Sequence, residues 1–149
     1  MKISIITVSF NSAKTIRQTI ESVLSQDYPD LEYIVVDGAS KDGTVEILKE
    51  YEGKIKYISE PDKGIYDALN KGIKLATGKV IGTIGGDDFY PNIHVISHIA
   101  QAFQDFKTDA IYGDKQYVNM GDDTTIVRYW RSGEYQRENW LKEIGRAHV

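Results

Sequence analysis

The chain has 149 residues, enough for about one domain that buries most of the apolar surface exposed when it is unfolded. Hydrophobic residues make up 41% and charged residues 27%, as in ordinary soluble globular proteins. A net charge of −4 argues against a general nucleic-acid binder, and the lack of cysteine excludes disulfides and thiolate-metal sites.

The first part of the chain alternates strands with helices. A strand is predicted at 2–8, and the apolar face of the next segment predicts a helix that Asn11 or Ser12 can cap. A second strand at 31–36 leads through a polar, glycine-containing loop to a helix at 45–51.

The same alternation continues. A strand at 55–58 precedes a helix that ends at 77–78, and a strand at 80–84 precedes a helix at 95–106. A short strand follows at 110–112. Such an order predicts an α/β fold built from right-handed βαβ units on a largely parallel sheet. Beyond Asp114, tyrosine-rich segments at 116–119 and 125–130 alternate in the way typical of antiparallel strands.

Polar side chains cluster where the predicted parallel strands end. In such sheets ligands bind outside the carboxyl ends of the strands. We therefore expect one site that contains Ser9, Asn11, Asp37, Asp62, Asp87 and Asp88.

The segment Gly85-Gly86-Asp87-Asp88 directly follows an apolar strand. Its glycines allow a ligand to approach the backbone closely, and its carboxylates suit a hard divalent cation such as Mg²⁺ or Mn²⁺. Such cations often take substrate phosphates as further ligands. This motif therefore predicts a metal-bound phosphorylated ligand.

Several motifs resemble family-2 inverting glycosyltransferases, and the resemblance covers roughly residues 2–130 in unbroken order. The motifs lie at 7–11, 35–44, 62–72, 76–78 and 86–88. The resemblance implies the GT-A fold, a nucleotide-binding α/β/α sandwich with a mostly parallel sheet, here incomplete at its C-terminus. It also identifies Gly86-Asp87-Asp88 as a variant of the family's metal-binding DxD motif.

The resemblance assigns roles to three aspartates. Asp37 accepts the N3–H of uracil, and a carboxylate there rejects cytosine at a cost of about 1–3 kcal/mol. Asp87 lies near the ribose and donor sugar, and Asp88 ligates the Mn²⁺ or Mg²⁺ that bridges the phosphates. The alternatives are that Asp37 caps its loop through the Ser40 or Gly43 amides, and that Asp87 and Asp88 form a solvated turn.

Four further residues are candidates for nucleotide binding. Thr7 and Ser9 are expected to line the nucleotide pocket, with Thr7 touching base or ribose, although strand-end hydroxyls are as often structural. Asp62 and Lys63 are expected to contact the nucleotide or diphosphate, with Lys63 acting as a point charge for phosphate. A solvated turn is the alternative for this pair.

The resemblance implies metal-assisted transfer of a sugar, with inversion, from a nucleotide-diphospho-sugar, for which UDP-sugar is favoured. The acceptor would be a saccharide or lipid-linked saccharide, as in polysaccharide assembly. A non-catalytic sugar-nucleotide-binding module remains an alternative. A sugar nucleotidyltransferase would carry a glycine-rich, basic signature near the first strand, and a Rossmann dehydrogenase would need Gly-x-Gly-x-x-Gly; neither motif is present.

Inverting transfer needs a general base, which the resemblance places beyond the end of this chain. Asp114 is weighed as a base, but its position suits donor binding better, so we assign none and expect the chain to be inactive by itself. Residues 143–149 resemble a translated sequencing adapter, which leaves 1–142 as a partial domain; a natural frayed tail is the alternative. With no signal peptide or membrane-length apolar run, a cytoplasmic protein is expected, and peripheral association with the inner face of the membrane is compatible with it.

Overall fold

The computed structural model describes residues 1–119 and 121–134. These residues form two compact units, Met1–Lys107 and a second unit that begins at Thr108. The first unit alternates strands and helices in the predicted order: β1 Ile3–Ser9, α1 Ile16–Leu24, β2 Leu31–Asp37, α2 Thr44–Glu50, β3 Lys56–Ser59, α3 Ile65–Leu75, β4 Val80–Gly85 and α4 Val95–Phe106.

The strands of the first unit form one parallel sheet in the order β3-β2-β1-β4. The chain winds outward from β1 through β2 to β3, and then returns across the sheet to place β4 on the other side of β1. Strand order therefore reverses between β1 and β4, and the crevice at such a reversal is where open α/β sheets bind ligands.

Helices cover both faces of the sheet. On one face, Ile16 and Ile20 of α1 and Ile96 of α4 pack with strand residues such as Ile5 and Val35. On the other face, Ala68 of α3 packs against Ile6, Ile34 and Val36. Because β1 and β2 are buried on both faces, their sequences are mostly apolar and do not alternate between apolar and polar residues. This arrangement is the predicted α/β/α sandwich.

Two glycines let the chain approach the sheet closely. A methyl group on Gly72 of α3 would lie 2.5 Å from Ile6 Cγ2, and one on Gly78 would lie 2.6 Å from the Ser4 nitrogen. Helix α3 ends at Leu75, and Ala76 is already extended. Gly78 is therefore needed for close packing of the chain as it enters β4.

The predicted cap of α1 is wrong. Its N-cap is Thr15, without a side-chain cap hydrogen bond. Ser12 contributes only its backbone carbonyl, which accepts from the Thr15 and Ile16 amides. Asn11 adopts a left-handed φ of 50°, and its side chain instead accepts from the Lys41 amide at 3.1 Å. Contacts with the neighbouring loop decide the conformation here.

The second unit contains an antiparallel pair, β5 Lys115–Asn119 and β6 Asp122–Trp130, as the alternating pattern predicts. Gly121, at a φ of +85°, lies between the strands. The predicted strand at 110–112 is wrong: these residues join no ladder, and the Tyr112 hydroxyl donates to the Gly133 carbonyl at 2.9 Å. Residues 143–149 lie outside the described residues, so the predicted tail and domain limit stay predictions. Within the described part, no helix is both long and apolar enough to cross a membrane.

Candidate functional site

The carboxyl ends of the parallel strands bring most of the predicted site residues to one edge of the first unit. Asp37 of β2 pairs in register with Ser9 of β1 on one side and with Ser59 of β3 on the other. On the far side of β1, Gly85 of β4 pairs with Val8, and the Gly86 amide donates to the Val8 carbonyl at 3.1 Å. One row of residues thus links the β1/β4 crevice to the end of β2.

Asp37 is fully buried and holds the loop that follows it. Its Oδ2 accepts from the Ser40 amide at 2.9 Å and from the Ser59 hydroxyl at 2.7 Å, and its Oδ1 accepts from the Ser40 hydroxyl. The loop-anchoring contact with Ser40 is therefore present. A carboxylate has about four acceptor sites, so Oδ1 keeps capacity for one more donor. Acceptance of a uracil N–H by Asp37 stays a prediction.

Ser9 supplies a buried hydroxyl at the same edge. The residue is 6% exposed, and among the described residues its Oγ has no hydrogen-bond partner. Leaving a buried hydroxyl unpaired costs about 1–3 kcal/mol, so such groups call for an explanation. A ligand hydrogen bond is one explanation, and it agrees with the predicted role of Ser9.

Phe10 is a candidate site residue that the sequence analysis does not single out. Its side chain is 67% exposed at the end of β1. A methyl group on Gly38 would lie 3.2 Å from Phe10 Cδ2 and 2.7 Å from Asp62 Oδ2, so both side chains converge beside Asp37. An exposed aromatic ring there can stack on a nucleobase. In the sequence, the feature that could have identified Phe10 is its position as an aromatic residue between two polar residues at the end of a strand.

The turn before α3 is held by its own carboxylates. Asp62 Oδ1 accepts from the Gly64 amide at 2.8 Å, and Asp67 Oδ2 accepts from the Lys63 amide at 3.0 Å. Lys71 pairs with Glu60 at 2.9 Å, and this contact raises the pKa of Lys71. The Asp62 side chain also approaches Gly38, at the edge where Asp37 lies. Contact of the exposed Lys63 side chain with a diphosphate stays a prediction.

Thr7 lies away from the exposed edge. It is fully buried, and its hydroxyl shares a hydrogen bond of 2.9 Å with the hydroxyl of Tyr33. Burial raises the pKa of Tyr33, which keeps that phenol neutral. The structure gives the Thr7 hydroxyl a partner in the core beneath the site, and the predicted contact of Thr7 with base or ribose stays a prediction.

Asp87 and Asp88 form the exposed turn that follows β4. The Asp88 amide donates to the Gly85 carbonyl at 3.1 Å. A methyl group on Gly85 would lie 2.8 Å from Asp87 Oδ1 and 3.1 Å from Asp88 Oδ2, so both carboxylates lean over the bare Cα of this glycine. The sequence-predicted pair is thus brought together at the β1/β4 crevice.

The donor set fits a cation that shares its coordination with a ligand. Among the described residues there is no cluster of three or more histidine, cysteine or acidic side chains that could hold a metal alone. Mg²⁺ in nucleotide sites is commonly bound by one or two carboxylates, with substrate phosphates and water completing the octahedron. Asp87 and Asp88 can supply that carboxylate share.

Comparison with known proteins gives concordant matches. The family model described as Glycosyl transferase family 2 matches residues 4–148. An uncharacterized glycosyltransferase of Nostoc sp. is 32% identical over 132 residues, which cover 85% of this chain and 40% of that protein.

Two solved structures show similar architecture. S. aureus TarS 1-349 in complex with UDP-GlcNAc has a TM-score of 0.66 and 28% identity over 73% of this chain and 33% of its own. The mannosyltransferase PcManGT of Pyrobaculum calidifontis, in complex with GDP-Man and Mn²⁺, has a TM-score of 0.65 and 25% identity over 78% and 35%. The chain spans 40% or less of the length of each of these proteins.

Proposed function

Because this chain belongs to glycosyl transferase family 2 and has the GT-A fold, we propose that it binds the nucleotide-diphospho-sugar donor of a sugar transfer reaction. The observation that carries the proposal is the position of Asp87 and Asp88, which lean together over Gly85 at the β1/β4 crevice. The donor we favour is a UDP-sugar, and the acceptor a saccharide or lipid-linked saccharide.

We assign the nucleobase of the donor to the carboxyl end of β2. Phe10 offers its exposed ring for stacking. Asp37 is 0% exposed, so the loop that covers it must move before the remaining acceptor capacity of its Oδ1 can take the uracil N3–H. Cytosine presents a lone pair at that position, so Asp37 would leave it unpaired. Guanine presents N–H donors, and TarS and PcManGT are in complex with different nucleotides. Discrimination between UDP and GDP is therefore part of the test.

The diphosphate is assigned to the turn after β4. Asp88, assisted by Asp87, would hold Mn²⁺ or Mg²⁺ with the two phosphates. A cation held by these carboxylates would supply Lewis-acid neutralisation of the charge that develops on the departing nucleoside diphosphate. Gly85 leaves the space beside both carboxylates open, whereas a methyl group on Gly86 would lie 3.2 Å from both Ser12 Oγ and the Val8 carbonyl oxygen, so Gly86 lets the turn pack against β1.

Transfer with inversion is the reaction we propose for the whole protein. The acceptor hydroxyl attacks the anomeric carbon opposite the leaving diphosphate, the bond to the phosphate oxygen breaks, and a base takes the hydroxyl proton. We assign no base among the described residues. Asp114 accepts from the Ser132 amide at 2.9 Å in the second unit, where it supports local structure.

Calorimetry tests donor binding directly. UDP, CDP and GDP are titrated into the chain with Mn²⁺ and again with excess EDTA. We expect UDP to bind at least about tenfold more tightly than CDP. EDTA should weaken the binding of UDP and leave the binding of uridine unchanged. Equal binding of UDP and CDP would overturn the assignment of Asp37. Unchanged UDP binding in EDTA would overturn that of Asp88.

Two variants localise the metal site. Asp88→Asn should weaken UDP binding by at least about tenfold and leave uridine binding unchanged. Gly85→Ala adds a methyl group where both carboxylates lean, and these flexible side-chain ends can move aside at little cost in folding. It should therefore weaken UDP in the same selective way. Asp105→Asn, on the exposed last turn of α4, is the matched control. Equal loss of UDP and uridine binding would indicate a structural role instead.

A non-catalytic module would bind UDP in the same way, so turnover must be measured on the full-length protein. UDP release from UDP-sugars is followed with Mn²⁺ and a panel of saccharide and lipid-linked acceptors. Acceptor-dependent release supports the transferase. Donor binding without any acceptor-dependent release would favour the module.

A further inference from the structure

One face of α1 and its flanking residues carries a line of polar side chains: Thr15, Thr19, Ser22 and Gln26. Their spacing of four, three and four residues places them on one face of a helix. We call them the polar stripe. The stripe is largely enclosed, since Thr19 is 1% exposed and Gln26 is 8% exposed. Polar groups inside the protein need partners: three of these side chains also donate to carbonyls one turn back along the chain, and all four bond to one distant segment.

The first half of the polar stripe holds the turn that bears the paired aspartates. The Thr15 hydroxyl donates to the Gly86 carbonyl at 2.8 Å, and the Thr19 hydroxyl donates to the Asp88 carbonyl at 2.7 Å. These two carbonyls flank the Asp87 residue. Both hydrogen bonds come from a helix more than sixty residues away in the chain.

The second half of the polar stripe continues along the same segment. Ser22 Oγ accepts from the Tyr90 amide at 3.2 Å. The Gln26 side chain donates to the Asn92 carbonyl at 2.8 Å and accepts from the Ile96 amide at 3.0 Å at the start of α4. The residues contacted are thus 86, 88, 90 and 92, followed by 96.

The segment runs beside the helix without being a strand: Gly86 and Asp87 form a turn, and residues 91–92 bend before α4. The hydrogen bonds from Thr15 and Thr19 fix the peptide groups at both ends of the aspartate pair, because the Gly86 carbonyl belongs to the peptide before Asp87 and the Asp88 carbonyl to the peptide after Asp88. With these two peptide groups held, the backbone from which both carboxylates project has a fixed orientation.

We propose that the polar stripe, and Thr19 above all, is a positioning device that aims the Asp87 and Asp88 carboxylates at the cation. The inference rests on the proposed function of these aspartates. An apolar stripe would bury the segment equally well but would not set the rotation of its peptide groups. Hydrogen bonds to the carbonyls and amides of the segment do set it, which is the requirement of a site whose ligands must meet a fixed geometry.

Thr19→Val tests this role because valine keeps the shape and removes the hydroxyl. We expect it to weaken Mn²⁺-dependent UDP binding about tenfold, as is typical when a group supporting metal ligands is lost, and to leave uridine binding unchanged. Thr19→Ser keeps the hydroxyl and should restore UDP binding. Thr83→Val on the exposed side of β4 is the matched control. Should Thr19→Val not fold, Thr15→Val, at a less buried site, replaces it with the same expectation.

Wild-type UDP binding, uridine binding and amide hydrogen exchange are measured together. Unchanged UDP affinity in Thr19→Val, an equal loss for uridine, or a failure of Thr19→Ser to restore binding would each overturn the positioning role. If wild-type UDP binding does not depend on metal, the proposed function fails first. Amide hydrogen exchange then tests separately whether the polar stripe stabilises the segment. The Asp88 and Tyr90 amides should exchange about tenfold faster in Thr19→Val, and unchanged exchange rates would overturn this stabilising role.

Discussion

Strand β2 carries a buried carboxylate near each end, and the two are partnered differently. The Glu32 side chain, near the amino end, is 4% exposed. It accepts hydrogen bonds from the Ser4 hydroxyl and from the amide and hydroxyl of Thr77. Lys56 adds an ion pair at 2.7 Å and Lys2 a longer one at 3.4 Å. Every face of this carboxylate is occupied.

Asp37, at the carboxyl end, is equally buried but has fewer partners. Its donors are the hydroxyls of Ser40 and Ser59 and one backbone amide, all of them neutral. In the part of the chain that the structure describes, no lysine or arginine lies within ion-pair distance of it. The amino end of β2 is thus closed by the protein's own groups, whereas the carboxyl end retains acceptor capacity for a ligand.

The largest expected effect is on folding, and it lies at the amino end. Glu32→Gln places an amide N–H₂ among donors, which leaves some of them unpaired, and it removes the charge that both lysines face. We expect the free energy of unfolding to fall by about 2–3 kcal/mol, measured by urea denaturation. UDP affinity should not change. Glu52→Gln, on an exposed residue, is the control and should stay within about 0.5 kcal/mol. A loss below about 1 kcal/mol for Glu32→Gln would contradict the closed network.

The difference in the free energy of unfolding between wild type and Glu32→Gln should depend on pH. Burial alone would raise the pKa of Glu32, but hydrogen bonds from Lys56, Ser4 and Thr77 outweigh it and hold the pKa well below its ordinary value of 4.5. A depressed folded-state pKa contributes stability that is fully present above pH 4.5 and is lost as the pH falls below it. The gap between wild type and Glu32→Gln should therefore narrow in acid. A gap that stays constant from neutral pH to pH about 3 would contradict this account.

The next effect is on specificity, at the carboxyl end. An asparagine side chain can accept from uracil or donate to cytosine, so Asp37→Asn should reduce the preference for UDP over CDP by about ten- to a hundredfold. Competition between the two nucleotides at fixed Mn²⁺ measures the ratio. Asp105→Asn should leave the ratio unchanged. A variant that binds both nucleotides more weakly but keeps the wild-type ratio would show that Asp37 only anchors its loop.

The sequence predicts the sandwich well, because its signals are local. Apolar runs and helical spacing define β1 to β4 and α1 to α4 within a few residues, and the carboxyl-edge rule then brings Asp37, Asp87 and Asp88 to one edge. The apolar triplet at 110–112 has the composition of a strand but joins no ladder among the described residues, and composition alone does not reveal that.

What the sequence could not predict depends on distant partners. β1 is buried on both faces, so alternation does not reveal that the Thr7 hydroxyl has the hydroxyl of Tyr33, on the neighbouring strand, as its partner. A glutamate such as Glu32 is normally expected at the surface, and its burial becomes evident only from its contacts with Ser4, Thr77 and Lys56, which are distant in the sequence. The polar stripe of α1 likewise has the sequence of a solvated helix face until the segment after β4 covers it.

A smaller effect concerns strain beside Asp37. Ala39 has a φ of 61°, in the left-handed region that disfavours a Cβ. Ala39→Gly should relieve this strain, and after the greater entropy of glycine in the unfolded chain is subtracted, stability should rise by about 0.5–1 kcal/mol. Ala102→Gly, within α4, is the matched control and should lower stability by about 1 kcal/mol. Thermal and urea denaturation measure both. Destabilisation by Ala39→Gly would show that the methyl group packs usefully against the site.

The smallest effect, that of Lys56, decides what a buried carboxylate on β2 requires. Its side chain is 59% exposed, so the ammonium keeps most of its hydration, and Lys56→Met should cost only about 0.5 kcal/mol. That cost should vanish in 1 M salt, whereas the cost of Glu32→Gln should persist, because buried hydrogen bonds are not screened. A double-mutant cycle between the two positions measures the coupling. If Lys56→Met costs as much as Glu32→Gln, burial at this strand depends on a cation. Asp37 would then be expected to need one too, and a neutral uracil N–H would no longer suffice as its ligand.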